Sequence, residues 1–449
     1  MSKKLQQIGI RDESFQLLKV ADLIKKKIIE KPMDGNHGEI HPKGEDFVDF
    51  GVPFVMASDI SFGSVDYSSC KYISKKQADS LRKGFAKNGD VLVTHKATIG
   101  RVAVVDYDDF PYIMLTPQVT YYRIIDKGKL DNHYLKYYFK SSLFQQTLNM
   151  WSGSGSTRAY LGITAQHNLP VIVPPIDKQR KIAAILSAYD DLIENNKRRI
   201  AILEKMAEET YREWFVRFRF PGWQKAEFEK GIPKGWKAVS LGELSDITSS
   251  KRIFLSDYVE RGVPFYRSKE VIERYNGLEP SSPLYISEDK FAQIDEKFGS
   301  PKENDILITS VGTLGIPCLV RKGDRFYFKD GNLIWFRSLN PTHNRFIFFW
   351  MQTPQGKGRL LETTIGSSQQ AFTIAGLKKI DVLLPDEVTL KRFMEIWDSI
   401  NEQKEMLIHM NGVLQRTKES LLPRLISGKL SVEDLDIQFP PSMQTAQAS

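Results

Sequence analysis

The sequence repeats itself, and this repetition constrains the fold more than any other feature of the chain. Four segments of the first half return in the second half in the same order. GVPF at 51–54 recurs at 262–265, GDVLVTHKATIG at 89–100 resembles NDILITSVGTLG at 304–315, GSTRAYLGI from 155 matches GSSQQAFTI from 366, and LPVIVPP from 169 matches IDVLLPD from 380. Four pairs in register indicate tandem duplication of a unit of about 210 residues.

Each copy divides into a globular part and a helical part. Residues 1–176 and 217–385 are rich in β-branched and aromatic residues punctuated by Gly, Pro, Asn and Asp, which predicts α+β domains. The helical parts, 177–216 and 386–430, follow prolines and begin with Asp177 and Asp386 as expected N-caps. Residues 431–449 are polar and proline-marked, and they predict a flexible tail.

Both helical parts carry an apolar stripe whose steps alternate between four and three residues, the spacing of a coiled-coil seam. The first seam is Ile182, Leu186, Tyr189, Ile193, Asn196, Ile200, Leu203, Ala207, Thr210 and Trp214. The second is Phe393, Ile396, Ile400, Leu407, Met410, Leu414 and Leu421, interrupted by Gln403 and Thr417. An antiparallel coiled coil buries both stripes and places the two globular domains at opposite ends; the alternative is that each helix covers its own domain.

Composition limits the classes of function. The formal net charge of +8 and the pI near 9.1 permit a polyanionic partner without requiring one. Cys70 and Cys318 lie far apart and outside any C-x-x-C pattern, so neither a disulfide framework nor a zinc site is expected. The sequence contains no apolar run typical of a signal peptide or membrane span, and the expected location is the cytoplasm.

Segments at the domain boundaries resemble those of the specificity subunits of Type I restriction-modification systems. They are LPVIVPPIDKQRKIAAIL, EWFVRFRFPGW, GIPKGWKAVSLGEL and LLPRLISGKL, and the resemblance covers nearly the whole chain. It implies two target-recognition domains, 1–176 and 217–385, each reading half of a bipartite DNA site, with spacer helices 177–216 and 386–430 setting the gap. A helix of about 36 residues is on the order of 55 Å long, which exceeds one duplex turn of about 34 to 36 Å.

The resemblance also implies partners that supply the chemistry in this system of phage defence. The chain itself would be non-catalytic and bind no cofactor, within a complex that acts as a site-specific deoxyribonuclease and an adenine-N6 DNA methyltransferase. Double-stranded DNA, two modification (methyltransferase) subunits and restriction (motor-nuclease) subunits are the implied partners. S-adenosylmethionine would bind to the modification partner, and ATP and Mg to the restriction partner. Trp214, Phe215, Trp397 and Leu425 are either contacts of the modification partner or core residues.

The two copies differ at two places near their starts. Phe15 stands where the second copy has Trp236 at the beginning of its domain. The segment 34–47 is expected to have no counterpart in the second copy. Within that segment, Asn36, His37, Glu39 and His41 either read bases or form a local polar network. A metal site is not expected there, because no further ligand is identified.

Two loops in each domain are candidate DNA-reading elements, because polar side chains of different types stand at matched positions. The alternatives are a polar turn in water for the first loop and a Gly/Ser linker for the second. Arginine pairs favourably with guanine and glutamine with adenine, whereas basic clusters position the protein on phosphates. In the first domain, the first loop contains Thr94, His95, Lys96 and Thr98, with Arg101 just beyond it, and the second loop contains Ser156, Thr157 and Arg158. In the second domain, the first loop contains Ser310 and Thr313, and the second loop contains Ser368, Gln369 and Gln370. The basic clusters of the second domain are Lys251 with Arg252 and Arg267 with Lys269.

The sequence lacks the motifs of the catalytic classes. The one Asn-Pro pair, Asn340-Pro341, continues with Thr-His and not with the second proline and aromatic residue of an adenine methyltransferase. Asp386, Glu402 and Lys404 lie along one predicted helix and cannot converge as a nuclease site. A G-x-x-x-x-G-K-[ST] loop for ATP is also missing. The preferred interpretation is a sequence-specific DNA-binding specificity subunit, and the alternative is a repeat-built protein–protein scaffold without sequence-specific DNA binding.

Overall fold

A computed structural model of the chain describes residues 6–61, 63–153, 159–366 and 370–444. The chain forms two compact units, Met1–Glu194 with Leu414–Ser449, and Asn195–Val413. Both unit boundaries fall inside long helices, so each unit combines one globular domain with parts of both helices. In the described part of the chain, no helix has the length and apolarity that crossing a bilayer requires.

The first unit begins with a mixed α+β domain. Its strands are β1 (Gln16–Lys19), β2 (Met33–Asp34), β3 (Phe47–Val48), β4 (Val52–Val55), β5 (Ile60–Ser61), β6 (Ser64–Val65), β7 (Lys71–Ile73), β8 (Phe85–Ala86), β9 (Val91–Thr94), β10 (Val102–Val104), β11 (Ile113–Leu115), β12 (Val119–Tyr122) and β13 (Pro170–Val173). Its helices are α1 (Val20–Lys25), α2 (Lys75–Ser80), α3 (Asn132–Lys140), α4 (Ser142–Trp151) and α5 (Ile163–Gln166), followed by the long helix α6 (Ile176–Tyr211).

The domain of the second unit repeats this composition. Its strands are β14 (Phe228–Glu229), β15 (Ile232–Pro233), β16 (Lys237–Ser240), β17 (Ser245–Thr248), β18 (Tyr258–Val259), β19 (Val263–Tyr266), β20 (Leu284–Ile286), β21 (Ile306–Thr309), β22 (Pro317–Leu319), β23 (Tyr327–Phe328), β24 (Leu333–Ser338) and β25 (Asp381–Leu384). Its helices are α7 (Leu241–Leu244), α8 (Ser268–Tyr275), α9 (Glu288–Phe298), α10 (Pro341–Gln352), α11 (Pro354–Leu361) and α12 (Ile374–Lys378), and the chain continues into α13 (Glu387–Ile426) and α14 (Pro441–Gln444).

The sheet topology confirms the duplication that the sequence predicts. The four-stranded sheet β10-β9-β12-β2 corresponds to β22-β21-β24-β17, with antiparallel pairing throughout. The strands β3-β7-β4-β11 correspond to β18-β20-β19-β23, and each set contains one parallel pair, β4 with β11 and β19 with β23. The terminal pair β1 and β13 corresponds to β16 and β25. The fold is therefore a tandem pseudo-repeat of two α+β domains.

The structure corrects the expectation that segment 34–47 has no counterpart. This segment joins β2 to β3, and residues 249–257 join the equivalent strands β17 and β18. Both connections end in the same turn: Asp46 accepts a hydrogen bond from the Lys43 amide at 2.7 Å, and Asp257 accepts one from the Phe254 amide at 3.0 Å. The counterpart is shorter and different in composition, which hid the correspondence in the sequence.

The residues that open the two domains are equivalent, as the repeat predicts. Phe15 precedes β1 and is buried in the first unit, and Trp236 precedes β16 and is buried in the second. The expected cap Asp386 accepts hydrogen bonds from the amides of Val388 and Thr389, both at 3.0 Å, and so caps α13. The expectation for Asp177 was wrong, because α6 already begins at Ile176 and places this carboxylate in its first turn.

The long helices α6 and α13 pair in antiparallel orientation. Within the first unit, the Lys418 ammonium donates a hydrogen bond to the Asp190 carboxylate at 2.6 Å. Within the second unit, Asn196 bonds Asn411 at 2.9 Å. All ten predicted seam residues of α6 and the turn that follows it are buried or half-buried, which confirms the first seam.

The seam of α13 differs from the prediction at three positions. Ile396, Gln403 and Met410 are exposed, and the structure uses the neighbouring residue in each case. The observed seam is Phe393, Trp397, Ile400, Lys404, Leu407, Asn411, Leu414, Lys418 and Leu421. The sequence pattern favoured apolar residues, whereas the polar seam residues are accommodated because each has a polar partner on α6.

The segment after α13 is not a flexible tail over its described residues. Val432 and Met443 are both 3% exposed and belong to the core of the first unit together with Leu425 and Ile426 of α13. The Lys181 ammonium donates to the carbonyl of Glu433 at 2.6 Å. The prediction failed because the few apolar residues of this segment are irregularly spaced among prolines and polar residues.

Candidate nucleic-acid interface

In the first domain, the two predicted reading loops lie side by side. Lys96, after β9, forms an antiparallel bridge with Tyr160 in the segment before α5. The amide of Leu161 donates to the carbonyl of His95 at 3.0 Å, and the Tyr160 amide donates to Ser152 at 3.1 Å. The second loop is therefore held at its base against the first. Its candidates Ser156, Thr157 and Arg158 lie outside the described residues.

The second domain brings the equivalent loops together in the same way. Val311 bridges Ala371, and the amide of Phe372 donates to the carbonyl of Ser310 at 3.1 Å. Ile365 and Ala371 exchange two backbone hydrogen bonds of 3.0 Å, which close the second loop. Gln370 is exposed on it, whereas Ser368 and Gln369 lie outside the described residues.

The first loop has the same backbone conformation in both domains. Ala97 has a φ of 63° and Gly312, its equivalent, a φ of 72°, both in the left-handed region. The Thr94 hydroxyl accepts from the Arg101 amide at 2.9 Å, and the equivalent Thr309 accepts from the Ile316 amide at 2.9 Å. One backbone frame therefore carries two different sets of side chains.

Three of the candidate reading residues are buried and hold these loops in place. Thr94 and His95 are 0% exposed and Ser310 is 3% exposed. The His95 Nδ1 contacts the Leu161 carbonyl at 3.0 Å, and the Ser310 hydroxyl donates to the Gly331 carbonyl at 3.1 Å. Burial lowers the pKa of His95, which favours the neutral ring. The candidates that are exposed on the first loops are Lys96, Thr98, Arg101 and Thr313.

Two arginine candidates have structural partners. Arg101 Nη1 donates to the carbonyls of Ala57, Ser58 and Ile60 at 2.9, 3.1 and 3.2 Å, so this guanidinium fixes the chain after β4. Arg267 donates to the buried carboxylate of Glu270 at 2.6 Å at the start of α8. Both guanidinium groups therefore use some of their N–H donors for hydrogen bonds within the protein.

The other basic candidates are exposed. The Arg252 Nε donates to Asp330 at 3.1 Å, and the Lys269 ammonium donates to the Ser282 hydroxyl at 2.7 Å. The Lys251 ammonium lies 4.5 Å from the centre of the Phe298 ring. Their charges face solvent, as phosphate contacts require.

Tyr160 is a candidate that the sequence interpretation missed. It is 48% exposed beside Lys96, and its ring centre lies 5.7 Å from that of His95. An exposed aromatic ring can pack against a base or a thymine methyl group. The signal was present in the repeat, because position 160 is tyrosine where the matching position 371 is alanine.

The segment after β2 forms a local polar network, one of the two alternatives left open for it. Buried Asp34 accepts hydrogen bonds from Lys83 and from His37 Nε2, the latter at 3.0 Å. Burial on its own raises the pKa of Asp34, but these two hydrogen bonds outweigh it and hold the pKa below the usual value. Asn36 donates to the Lys83 carbonyl at 2.6 Å, and the His41 ring contacts the Asn36 carbonyl at 3.2 Å. Over the described ranges, no group of His, Cys, Asp and Glu residues forms a metal site.

The four helix residues for which both a partner contact and a core role were open belong to the core. Trp214, Phe215, Trp397 and Leu425 are at most 8% exposed. The second unit instead has exposed apolar side chains along an open groove that includes Met206 and Ile396. Other exposed apolar residues of the same helices are Ile202, Met406, Met410 and Val413. An apolar surface of this kind is typical of a protein-binding site.

Two repeated domains with paired helices define a class of protein. A comparison of this chain with models of known protein families identifies that class. The family model described as "Type I restriction modification DNA specificity domain" matches residues 13–205 and 233–408. The chain therefore belongs to the family of Type I restriction-modification specificity subunits, as its boundary segments predict.

Its relatives carry the same designation. The Type I restriction enzyme MjaIX specificity subunit of Methanocaldococcus jannaschii is 27% identical over 397 residues, covering 86% of this chain and 88% of the relative. The putative MjaX specificity subunit of the same organism is 23% identical over 400 residues, covering 85% and 88%. The crystal structure of the S subunit from M. genitalium shares the fold, with a TM-score of 0.55 at 16% identity over 93% of this chain and 96% of that one.

Proposed function

We propose that this chain reads a bipartite DNA site, one half per domain, and directs adenine methylation or restriction by partner subunits. The observation that carries the proposal is the repeated pair of adjacent loops, which present different side chains on one backbone frame. Two copies of one reader with different exposed residues suit two different half-sites.

The exposed side chains indicate different reading chemistry in the two domains. Lys96 and Thr98 in the first domain can donate to guanine or phosphate oxygens, and Tyr160 adds an apolar face. The equivalent loop of the second domain is uncharged, and Gln370 beside it can pair bidentately with adenine. We therefore expect the two half-sites to differ in base composition.

The helical pair is proposed to set the gap between the half-sites. The 36 residues of α6 give a helix of about 54 Å at about 1.5 Å per residue. One turn of duplex is about 34 to 36 Å. A spacer of this length can serve contacts about one helical turn apart on the DNA.

Catalysis is proposed to reside in partner subunits, because specificity subunits of this family are non-catalytic. Two modification subunits would bind S-adenosylmethionine, and restriction subunits would bind ATP and Mg. We assign docking of a modification subunit to the exposed apolar groove of the second unit around Met206 and Ile396. No cofactor is assigned to this chain, and a cytoplasmic location follows from the proposed role.

The decisive experiment is to co-express the chain with its modification subunits and to map methylated adenines across a genome. We expect one bipartite motif with a fixed nonspecific gap. A continuous palindrome, or no methylation, would overturn the proposal. A mobility-shift titration adds an independent measurement: sequence-dependent affinity that falls steeply with salt is expected, whereas absent or salt-insensitive binding would favour a protein–protein scaffold.

A further inference from the structure

A third segment lies against the base of the reading loops in both domains. In the first domain it is residues 35–46, between β2 and β3, and in the second it is residues 249–257, between β17 and β18. His95 and Ser310 mark equivalent positions in the two loops, because their amides donate to Gln118 and Asn332, both at 2.9 Å. We call residues 35–46 and 249–257 the third segments.

Polar contacts connect each third segment to its reading loop. In the first domain, Asp34, the last residue of β2 before the segment, lies 4.0 Å from the His95 Nε2 atom. In the second domain, Arg252 pairs with Asp330, and the next residue, Gly331, accepts a hydrogen bond from Ser310. The equivalent topology and the equivalent neighbours place the two third segments at the same site on the two domains.

We propose that the third segments are specificity-determining elements, in which His37 of the first domain and Arg252 of the second contact base edges. The proposal rests on the proposed function, because it extends the reading surface of each domain from two segments to three. It assigns a role to a segment whose contribution the sequence leaves open, and it names one residue per half-site.

The contact with Asp34 fixes the orientation of the His37 ring. The Asp34 carboxylate can only accept, so the His37 Nε2 carries the hydrogen and donates to it at 3.0 Å. The imidazole is half-exposed, and its Nδ1 has no partner among the described residues. This Nδ1 is therefore available for a hydrogen bond with a base edge in the groove.

The His37 ring is also held in position by a rigid base. Asp34 is simultaneously bonded to Lys83, and Asn36 joins the segment to the neighbouring strand connection through two hydrogen bonds. The Asn36 amide nitrogen donates to the Lys83 carbonyl at 2.6 Å, and its oxygen accepts from the Arg82 amide at 3.1 Å. Side chains that are oriented by such supporting bonds can discriminate bases because they do not rearrange.

Arg252 has complementary chemistry. Its side chain is 70% exposed, and Asp330 receives only its Nε. The two terminal nitrogens have no partner among the described residues, and a guanidinium can donate two hydrogen bonds to O6 and N7 of guanine. A carboxylate thus orients the reading side chain in both domains.

The experiment maps methylated adenines for complexes of the full-length chain with its modification subunits. The variants are His37→Ala and Arg252→Ala. The controls are Lys127→Ala, on an exposed turn before α3, and Arg325→Ala, which removes an exposed arginine that also has an acidic partner. We expect His37→Ala to relax discrimination at a position of the first half-site by about fivefold or more, and Arg252→Ala to do so only in the second. The controls keep the wild-type motif.

The outcomes separate the two proposals. A wild-type complex without a bipartite motif overturns the proposed function itself. A bipartite wild-type motif that both alanine variants reproduce overturns the third-segment proposal and leaves the proposed function standing. If an alanine variant yields no methylation, the conservative variants His37→Gln and Arg252→Lys decide: an altered half-site supports the proposal, and an unaltered motif overturns it.

Discussion

Ala97 is the residue at which the two reading loops differ in backbone strain. Its φ of 63° is costly for a residue with a Cβ atom, and the second domain has Gly312 at the equivalent position. We predict that Ala97→Gly raises the free energy of unfolding by about 1 kcal/mol and that Gly312→Ala lowers it by a similar amount. Urea denaturation of the two variants measures both changes, and a loss of stability in Ala97→Gly would contradict the assignment.

The lysine cluster of the first unit is a second residue-scale feature with a measurable consequence. Lys136, Lys140 and Lys418 lie around the carboxylate of Asp190. Burial lowers the pKa of Lys140 to about 8, and the repulsion by Lys418 and Lys136 adds to this effect. The pKa of Asp190 is lowered although burial on its own raises it, because the ammonium groups favour its charged form.

We predict that Lys140→Met stabilises the protein at pH 7 by about 1 to 2 kcal/mol. Below pH 8, Lys140 is charged in the folded protein, and burying this charge costs free energy. In the unfolded chain the lysine keeps its proton up to about pH 10.4. The unfolded state therefore binds more protons between these values, and wild-type stability from this group rises with pH. The advantage of Lys140→Met should shrink from pH 8 to pH 10 in thermal unfolding experiments.

The control for this prediction removes the opposite charge. Asp190→Asn leaves three lysines without their carboxylate, and we expect it to destabilise the protein by on the order of 3 to 5 kcal/mol. An advantage of Lys140→Met that does not change with pH would show that packing, and not charge, determines its effect.

Single residues also show the limit of prediction from sequence at the candidate interface. The loops were found because matched positions differ in side-chain type, and Lys96, Thr98 and Gln370 are exposed as the prediction requires. The burial of His95 and the hydrogen bonds from Arg101 to three carbonyls were not predictable. The partner of His95 lies 66 residues away in the sequence, and those of Arg101 lie 41 to 44 residues away. The base contacts of Lys96, Thr98 and Gln370 stay predictions.

At the scale of elements, the paired helices carry polar residues inside their seam. Asn196 is 5% exposed and bonds Asn411 at 2.9 Å across the pair. Heptad spacing alone identified the seam of α6 completely. In α13 it misplaced three positions, because a sequence pattern cannot show that Lys404 or Asn411 has a partner on another helix.

The Asn196–Asn411 bond gives a prediction for helix stability. Asn411→Ala should lower the free energy of unfolding by about 1 to 2 kcal/mol, because it leaves the buried Asn196 amide without its partner. The double variant Asn196→Leu with Asn411→Leu should be neutral or more stable, since two apolar side chains replace the polar pair. Guanidinium denaturation tests both, and a double variant less stable than Asn411→Ala would refute this account.

At the scale of the whole molecule, the duplication was predictable because both copies retain the turn sequences, strands and proline-flanked helix starts. The fold class follows from those signals. The assembly of the first unit did not, because Val432 and Met443 lie far from the domain in sequence and in a segment of low apolar content.

The spacer role makes a quantitative prediction for the complete chain. Seven residues of matching heptad pattern would be inserted after Ile200 in α6 and after Lys404 in α13, which keeps both seams in phase. Each helix lengthens by about 10 Å, so we expect the gap in the methylated motif to grow by about three base pairs while both half-sites stay unchanged. An unaltered gap would show that the helices do not determine the spacing.

The core of the first unit contains residues of 414–444 together with residues of 6–194. During translation, the first domain therefore leaves the ribosome without these core residues. Its core stays incomplete until the second domain and α13 have been translated. We therefore expect a premature stop codon after α12 to destabilise the first domain, even though every residue of that domain had been made.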